Sequence, residues 1–327
     1  MKRHFSRALN FGVALLMLIP GVALAQAWPS KPVRMIVSTG PGLSTDTVGR
    51  LLAERLSRTF GQQFVVENMA GAGGIIGAQA VARASADGHT LLFTGGGALV
   101  TNLFAFKSLP YDPARDFAPV ALVTESGGFL LSVHPDVPAR NLAEFIETAR
   151  ASPGKFSYAV DTSNIYAVIM GRLLNRTAGI DMAEIPYKST PQALQDTVAG
   201  RTQVIITAVA PAEPFVKSGK LRRLAISSLR RNPTIPDVPA MAESLQGFQI
   251  DGGGFFVAAP VATAPETVIR LNRAIGTLLR EPDFEQRLLS LGQVASSGPL
   301  PEAISEYLRS ERERWGRLFR ELNIPAQ

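Results

Sequence analysis

The sequence predicts an α/β protein built as two domains, and three observations carry that reading. From Trp28 onward, short apolar runs alternate with amphipathic runs at helical spacing, the rhythm of a parallel sheet covered on both faces. Several of the apolar runs end in glycine-rich turns, the strand ends at which doubly wound sheets gather ligands. Two extended passages, residues 110–133 and 252–260, interrupt the rhythm and divide the chain. At 327 residues there is length for two domains, each with its own core. A composition 46% hydrophobic and 18% charged, with scattered Gly and Pro, is that of a globular protein.

The first residues stand apart from this pattern. Lys2, Arg3 and Arg7 precede an apolar stretch, residues 11–24, that is too short to span a bilayer comfortably. It closes on Ala23-Leu24-Ala25, a small-x-small pattern suited to signal peptidase. Residues 1–25 therefore read as a cleaved secretory signal, with cleavage after Ala27 as the near alternative, and export is expected.

Residues 33–37 form the first expected strand. The turn Ser38-Thr39-Gly40-Pro41-Gly42-Leu43-Ser44-Thr45-Asp46 follows, then a helix over 45–60 with Val48, Leu51, Leu52, Leu56 and Phe60 on one face. Gly40 and Gly42 are free to take positive φ, and Ser44 or Thr45 is placed to cap the helix. Such a turn aims free N–H groups and a helix dipole at whatever sits above the strand end. Two readings stand on these residues alone: an anion site, or glycines that only make the turn.

Gly61 stops that helix and residues 64–67 read as the second strand. The turn Gly71-Ala72-Gly73-Gly74 precedes a helix over 75–84, but Ile76 occupies the third glycine position of a dinucleotide fingerprint. No Gly-Lys-Ser/Thr follows either, so close packing at a helix start is preferred to nucleotide binding. Asp87-Gly88 turns into a strand over 90–94 that ends in Gly95-Gly96-Gly97, either a third ligand-facing strand end or only a loop. A proline-punctuated connection then leads through 120–123 and Gly127-Gly128 to 129–133, the crossing into the second domain.

There the rhythm repeats. Asn141 caps a helix to residue 150, Pro153-Gly154 turns, and a strand over 156–160 ends at Asp161-Thr162-Ser163-Asn164. The helix over 165–175 begins at that polar turn, and two helix starts opposed across a cleft would clamp a carboxylate. Ile185-Pro186-Tyr187-Lys188, a helix over 191–199 and apolar runs over 204–208 and 221–227 complete the domain. Lys188 either neutralises a ligand carboxylate or is a surface residue; Tyr187 either lines the cleft or fills core space. Residues 252–260 cross back, and helices over 265–280, 283–291 and 301–322 finish the chain. Glu311 to Arg314 on the last helix read as a solvated face with weak ion pairs.

Several function classes have little material. Removing Lys2, Arg3 and Arg7 leaves 30 basic against 27 acidic residues, a net of +3, which is no nucleic-acid-binding excess. The chain has no cysteine, which excludes disulfides, thiol catalysis and thiolate metal sites. Only His89 and His134 lie beyond the signal, neither in metal-ligand spacing nor beside a nucleophile motif.

A series of ordered blocks resembles one family. The blocks are Trp28-Pro29-Ser30-Lys31-Pro32-Val33-Arg34, Pro41-Gly42-x-Ser44-x-Asp46, Val65-Val66-Glu67-Asn68-x-Ala70-Gly71-Ala72-Gly73-Gly74, Asp87-Gly88-His89-Thr90, Leu109-Pro110-Tyr111-Asp112-Pro113, Pro186-Tyr187-Lys188 and Pro236-Asp237-Val238-Pro239. They span essentially the whole mature chain and are similar to the Bug-type solute receptors of tripartite tricarboxylate transporters. The resemblance implies a type II periplasmic-binding-protein fold: two doubly wound domains joined by two crossing strands, residues 28–125 plus 252–327 and residues 126–251. It implies a periplasmic monomer that closes on a small carboxylate or aromatic acid and delivers it to membrane permease subunits. No catalytic residue, cofactor, metal or nucleic acid is expected.

The resemblance and the turns together nominate Thr39, Gly40, Leu43, Ser44, Thr45, Asp46, Gly95, Gly96, Thr162, Ser163, Asn164, Val168, Tyr187, Lys188 and Ala208 as ligand-binding. Asp46 is assigned to holding the turn rather than touching an anion it would repel. This chain also departs from the family pattern. Leu43 replaces one of a pair of glycines, and Ala159, Val160, Thr162, Asn164, Ile165, Val168 and Arg172 stand where the family carries small, hydroxyl, imidazole and carboxylate residues. A pocket more apolar or differently shaped than that of the dicarboxylate binders is the consequence, and tight binding of malate, glutamate or aspartate by calorimetry would count against it. The competing readings are an exported hydrolase or lyase on the same scaffold, told apart by turnover of a bound acid, and a ligand sensor for a membrane kinase.

Overall fold

The computed structural model describes residues 28–326 apart from 126, 162–164, 247, 249, 251 and 252. The expected signal at 1–25 and the expected binding residues Thr162, Ser163 and Asn164 lie outside the described residues. The chain opens with β1 (Val33–Val37), α1 (Ser44–Phe60), β2 (Phe64–Asn68), α2 (Ile75–Ala82) and β3 (Thr90–Gly95). Where a loop is one of the two readings, Gly97–Thr101 forms a wide helical turn that continues into α3 (Asn102–Ala105). β4 (Phe117–Glu125) and β5 (Leu130–Val133) carry the chain from one sheet to the other.

The second lobe contains α4 (Leu142–Arg150), β6 (Ser157–Asp161), α5 (Ile165–Ala178), β7 (Ala183–Tyr187), α6 (Thr190–Val198), β8 (Val204–Thr207), α7 (Val209–Lys217) and β9 (Arg222–Ile226). Asn141 caps α4 as expected, its side chain accepting the Glu144 N–H at 2.9 Å. Helix α7 is absent from the sequence reading because Pro211 and Pro214 look like loop residues. Pro211 falls in the first turn, where a missing N–H costs nothing, and Pro214 is carried inside the helix. The chain returns through β10 (Phe255–Pro260) to α8 (Pro265–Leu278), α9 (Pro282–Ser290), β11 (Val294–Ala295) and α10 (Pro301–Glu321).

The sheets run β11-β4-β10-β3-β1-β2 and β7-β6-β8-β5-β9. Each is mixed rather than purely parallel. β1 pairs in parallel with β2 and β3, but β10 is antiparallel to both β3 and β4. In the second sheet β6 is parallel to β7 and β8, and β5 is antiparallel to β8 and β9. β10 and β5 arrive from the other lobe, so no crossover helix fixes their direction, and the two-residue β11 pairs antiparallel with β4 at the sheet edge. β10 enters so closely that a Cβ on Gly254 would stand 1.7 Å from the Thr124 carbonyl oxygen.

Strand alternation divides the core. Val33, Met35 and Val37 pack with Val48, Leu52 and Leu56 of α1 and with Leu271 and Ile275 of α8. Ile36 and Leu92 face the other way, into a cluster that continues without a break through Tyr158, Val160 and Ile169 of the second lobe to Trp315 and Phe319 of α10. Each lobe has a cluster of its own, the one around Val33, Leu52 and Leu271 in the first and one around Leu130, Ala159, Leu194, Ile205 and Ile226 in the second, and this further apolar cluster joins the two. Helix α10 also differs from expectation. Glu306 and Arg309 do form an exposed pair, but the Glu311 and Arg314 side chains are only 14% and 18% exposed. The Trp315 indole donates to Glu311 and Arg312 donates to the Leu99 carbonyl, so this face is packed against the protein and not solvated.

Candidate functional site

The first wall of the site is the turn between β1 and α1. Gly42 takes φ +82°, which glycine reaches without strain, while Gly40 does not use the left-handed region. Leu43 is the residue before the helix, extended at φ −74° and ψ 160°, and no side chain caps the first turn. The leucine is therefore unstrained, and neither Ser44 nor Thr45 is the cap. A buried carboxylate holds the turn instead. The Gly42 N–H donates to Asp46 Oδ2 at 2.8 Å, and Asn68 Nδ2 donates both to Asp46 Oδ1 at 2.8 Å and to the Thr39 carbonyl at 3.0 Å. Arg50 pairs with the same carboxylate at 3.0 Å. Burial works to raise the Asp46 pKa, but Arg50, the Gly42 N–H and Asn68 together hold it below the usual carboxylate value.

Above this turn lies a cavity of about 430 Å³ lined by Ser38, Thr39, Leu43, Thr45, Gly73, Gly74, Thr94, Gly95, Gly97, Ala98 and Asn102 from the first lobe. Asp161, Ile165 and Tyr166 line it from the second. It is well supplied with hydroxyls; those of Ser38 and Thr94 hydrogen-bond each other at 2.7 Å, and the buried Thr39 hydroxyl has no protein partner among the described residues. A second cavity of about 270 Å³ adjoins it and is bounded by Ser44, Gly95–97, Gly127, Gly128, Phe129, Ala208 and Phe255. A third, of about 450 Å³, shares Ser44, Val209, Ala210, Leu291 and Gly292 with the second and reaches Glu213.

Tyr166 forms part of the wall of both the first and second cavities and is the residue the sequence reading missed. Its ring stacks on Phe129 at 6.3 Å and meets Trp315 edge-on at 4.8 Å. A Cβ on Gly96 would come within 2.7 Å of its hydroxyl, so the paired glycines after β3 are where the tyrosine seats. An aromatic residue directly after a polar strand-end turn was the available signal. Asp161, at the end of β6, accepts the Thr190 hydroxyl at 2.9 Å.

The structure brings Thr39, Leu43, Ser44, Thr45, Gly95, Gly96 and Ala208 to these cavities. Gly40 stays in the turn beside them, and Asp46 lies beneath it. Val168 is 6% exposed in the shared core, because the start of α5 turns it away from the cleft. Tyr187 packs against a core cluster on the far face of the second sheet and donates its hydroxyl to Asp196 at 2.9 Å. Lys188 is exposed and lines none of the three cavities. Arg172 does not face the cleft either: it forms a two-point pair with Glu184, which also accepts the Tyr158 hydroxyl at 2.6 Å. Burial works to raise the Glu184 pKa, yet Arg172 and Tyr158 hold it below the ordinary value.

The histidines are occupied elsewhere. His89 accepts the Ser30 N–H and His134 accepts the Asp136 N–H, each with a ring nitrogen. Among the described residues no group of acidic and histidine side chains is placed to hold a metal, and no helix is long and apolar enough to cross a membrane.

Comparison with known proteins agrees with this arrangement. The sequence profile of the tripartite tricarboxylate transporter family receptors matches residues 48–324. A protein of Pseudomonas sp. strain P51, encoded in a tcbD–tcbE intergenic region, is 35% identical over 98% of this chain and 95% of its own. The R. palustris protein Rpa4515, solved with adipate, superposes with a TM-score of 0.79 at 30% identity, covering 92% of this chain and all of that one (100%). MatC of Rhodopseudomonas palustris, solved with bound malate, gives a TM-score of 0.72 at 32% identity over 89% of this chain and 99% of that one. The two mixed sheets joined by crossing strands are a type II periplasmic-binding-protein fold.

Proposed function

Because the chain belongs to the Bug-type receptors of the tripartite tricarboxylate transporter family, we propose that it is an exported periplasmic receptor that captures a small organic acid between its lobes and delivers it to a membrane permease. The observation that carries this reading is the hydroxyl-rich cavity set over the uncapped start of α1. Unsatisfied N–H groups and the positive end of a long helix favour an anion there, and Ser38, Thr39, Thr45 and Thr94 supply further donors. A carboxylate in that position is held by neutral groups, so it is released without breaking a buried ion pair.

Residues 28–125 with 252–327, and residues 126–251, are the two bodies that close on it. The passages at Gly127-Gly128 and before β10 act as the hinge, and closure strengthens each polar contact by excluding water. Residues 1–25 are the export signal. The chemistry is binding, not turnover. The adipate and malate of the two related structures mark the size of ligand worth trying first. Thermal-shift and calorimetric titration of the purified mature protein with carboxylates and aromatic acids tests the reading. Saturable binding without product is the expected result; failure of every acid, or product formation from a bound one, overturns it.

A further inference from the structure

We propose, building on the receptor reading above, that the acid bound in this cleft ends in an aromatic ring joined to its carboxylate by a short chain, and that Phe255 selects the ring. The cleft has two compartments of different chemistry. The cavity of about 430 Å³ carries the hydroxyls of Ser38, Thr39 and Thr94. Among the described residues, the adjoining cavity of about 270 Å³ is bordered by three aromatic side chains, Phe129 and Tyr166 from the second lobe and Phe255 from the first. Gly95 and Gly97 line both, so the two spaces share a stretch of backbone that carries no side chain.

Strand pairing places Phe255. It lies in β10 between Gly95 of β3 and Thr124 of β4, and its N–H donates to the Thr124 hydroxyl at 3.1 Å. Its ring meets the buried Phe93 edge-on at 5.9 Å. Opposite it in the ladder, a Cβ on Gly95 would stand 4.0 Å from the ring. A larger residue there would cover Phe255, and the glycine leaves it open to the cavity. Phe129 and Tyr166 stack at 6.3 Å with their planes 17° apart, a rigid aromatic border on the other lobe. An apolar cavity of roughly 150 Å³ takes a benzene molecule, so 270 Å³ has room for a ring and its first methylene. A carboxylate in the same place would lose its hydration among ring faces that are themselves negative. A diacid therefore fills the second compartment poorly, and benzoate keeps ring and charge together in one. A phenylalkanoate puts its charge over the start of α1 and its ring among Phe129, Tyr166 and Phe255. Because these rings come from both lobes, closure tightens on the ligand's ring as well as on its carboxylate.

The test is calorimetry at neutral pH with benzoate, phenylacetate, 3-phenylpropanoate and 4-phenylbutanoate beside succinate, glutarate and adipate. The best phenylalkanoate is expected to bind about tenfold or more tighter than benzoate and than the best diacid, the factor that ring burial and aromatic contact supply. Phe255→Ala, with folding checked by thermal melt, is expected to abolish the preference. Ala208→Phe decides the matter if that variant does not fold. Ala208 borders the second compartment and not the first, is exposed, and sits in extended backbone before α7, so an added ring fills the compartment without disturbing the core. It too is expected to abolish the preference. Diacids or benzoate binding as tightly as the phenylalkanoates overturn the inference and leave the receptor reading standing. A preference that persists in a folded variant overturns the placing of the ring beside Phe255. Binding of no acid of any class defeats both readings.

Discussion

The two walls of the cleft are built on opposite plans. In the first lobe the cavity lining is mostly glycine backbone and hydroxyls, with Leu43 and Asn102 beside them, and the charged residue, Asp46, is spent beneath it in bonds to Gly42, Asn68 and Arg50. In the second lobe the described lining of the same cavity is Asp161, Ile165 and Tyr166. Even the supports differ. The first turn is held by one carboxylate collecting local donors, whereas the second rests on Tyr166 wedged between Phe129 and Trp315 and, further down α5, on the Arg172–Glu184–Tyr158 cluster. A wall of backbone suits any carboxylate.

That contrast breaks most visibly at Tyr166. Tyr166→Ala removes a ring that is 7% exposed and in contact with both lobes, and an expected loss of about 3–5 kcal/mol should appear in denaturant unfolding. It should also merge the first two cavities, so longer acids gain affinity relative to short ones by calorimetry. Tyr166→Phe should stay within about 1 kcal/mol of wild type, since the ring contacts remain. A near-neutral alanine variant would mean that the second wall does not depend on the wedge.

Arg172→Ala comes next. It leaves the half-buried Glu184 with Tyr158 but without its cation, and about 2–3 kcal/mol of stability should be lost. Ligand affinity should change little, because the pair lies off the cleft. A large affinity loss at unchanged stability would move Arg172 into the recognition surface.

Asp46→Ala should cost about 2 kcal/mol and weaken carboxylate binding, since the Gly42 N–H, Asn68 and Arg50 all lose their acceptor. The sign with pH follows from the depressed pKa. The unfolded aspartate titrates near 3.9, roughly, and the folded one lower, so the contribution is complete above the unfolded value and is lost as pH falls through the folded one. Melting curves of wild type and variant should therefore be well separated at neutral pH and converge in acid. A gap that widens in acid would rule out this role.

Leu43→Gly should have the smallest effect on stability, within about 0.5 kcal/mol, because the side chain is 57% exposed and glycine is accepted before a helix. Its readout is ligand choice. With the leucine gone from the cavity wall, the affinity of short polar acids measured by calorimetry should rise relative to that of apolar ones. Unchanged relative affinities would show that Leu43 does not shape the pocket.

Much of this architecture was legible before the coordinates. The strand and helix of β1 and α1 follow from apolar spacing, the Asn141 cap from its chemistry, and the role of Asp46 from the repulsion it would exert on an anion. The failures have specific causes. Helix α7 was hidden by two prolines that read as breakers although one sits where a helix tolerates it. The buried face of α10 was hidden because Glu311 and Arg314 look like surface residues whatever packs on them. Val168, Tyr187 and Lys188 were nominated by position in a motif, and motif position does not say which way a side chain turns.

The sequence by itself determined the periodic elements, the glycine strand ends, the two crossings and the family, because these depend on residues close together or on ordered blocks. Only the tertiary structure decided that a shared apolar cluster joins the separate cores of the two lobes, and that Tyr166 meets Gly96 and Trp315 across the cleft. Those are contacts between distant segments, and spacing along a chain carries no record of which distant groups share a volume.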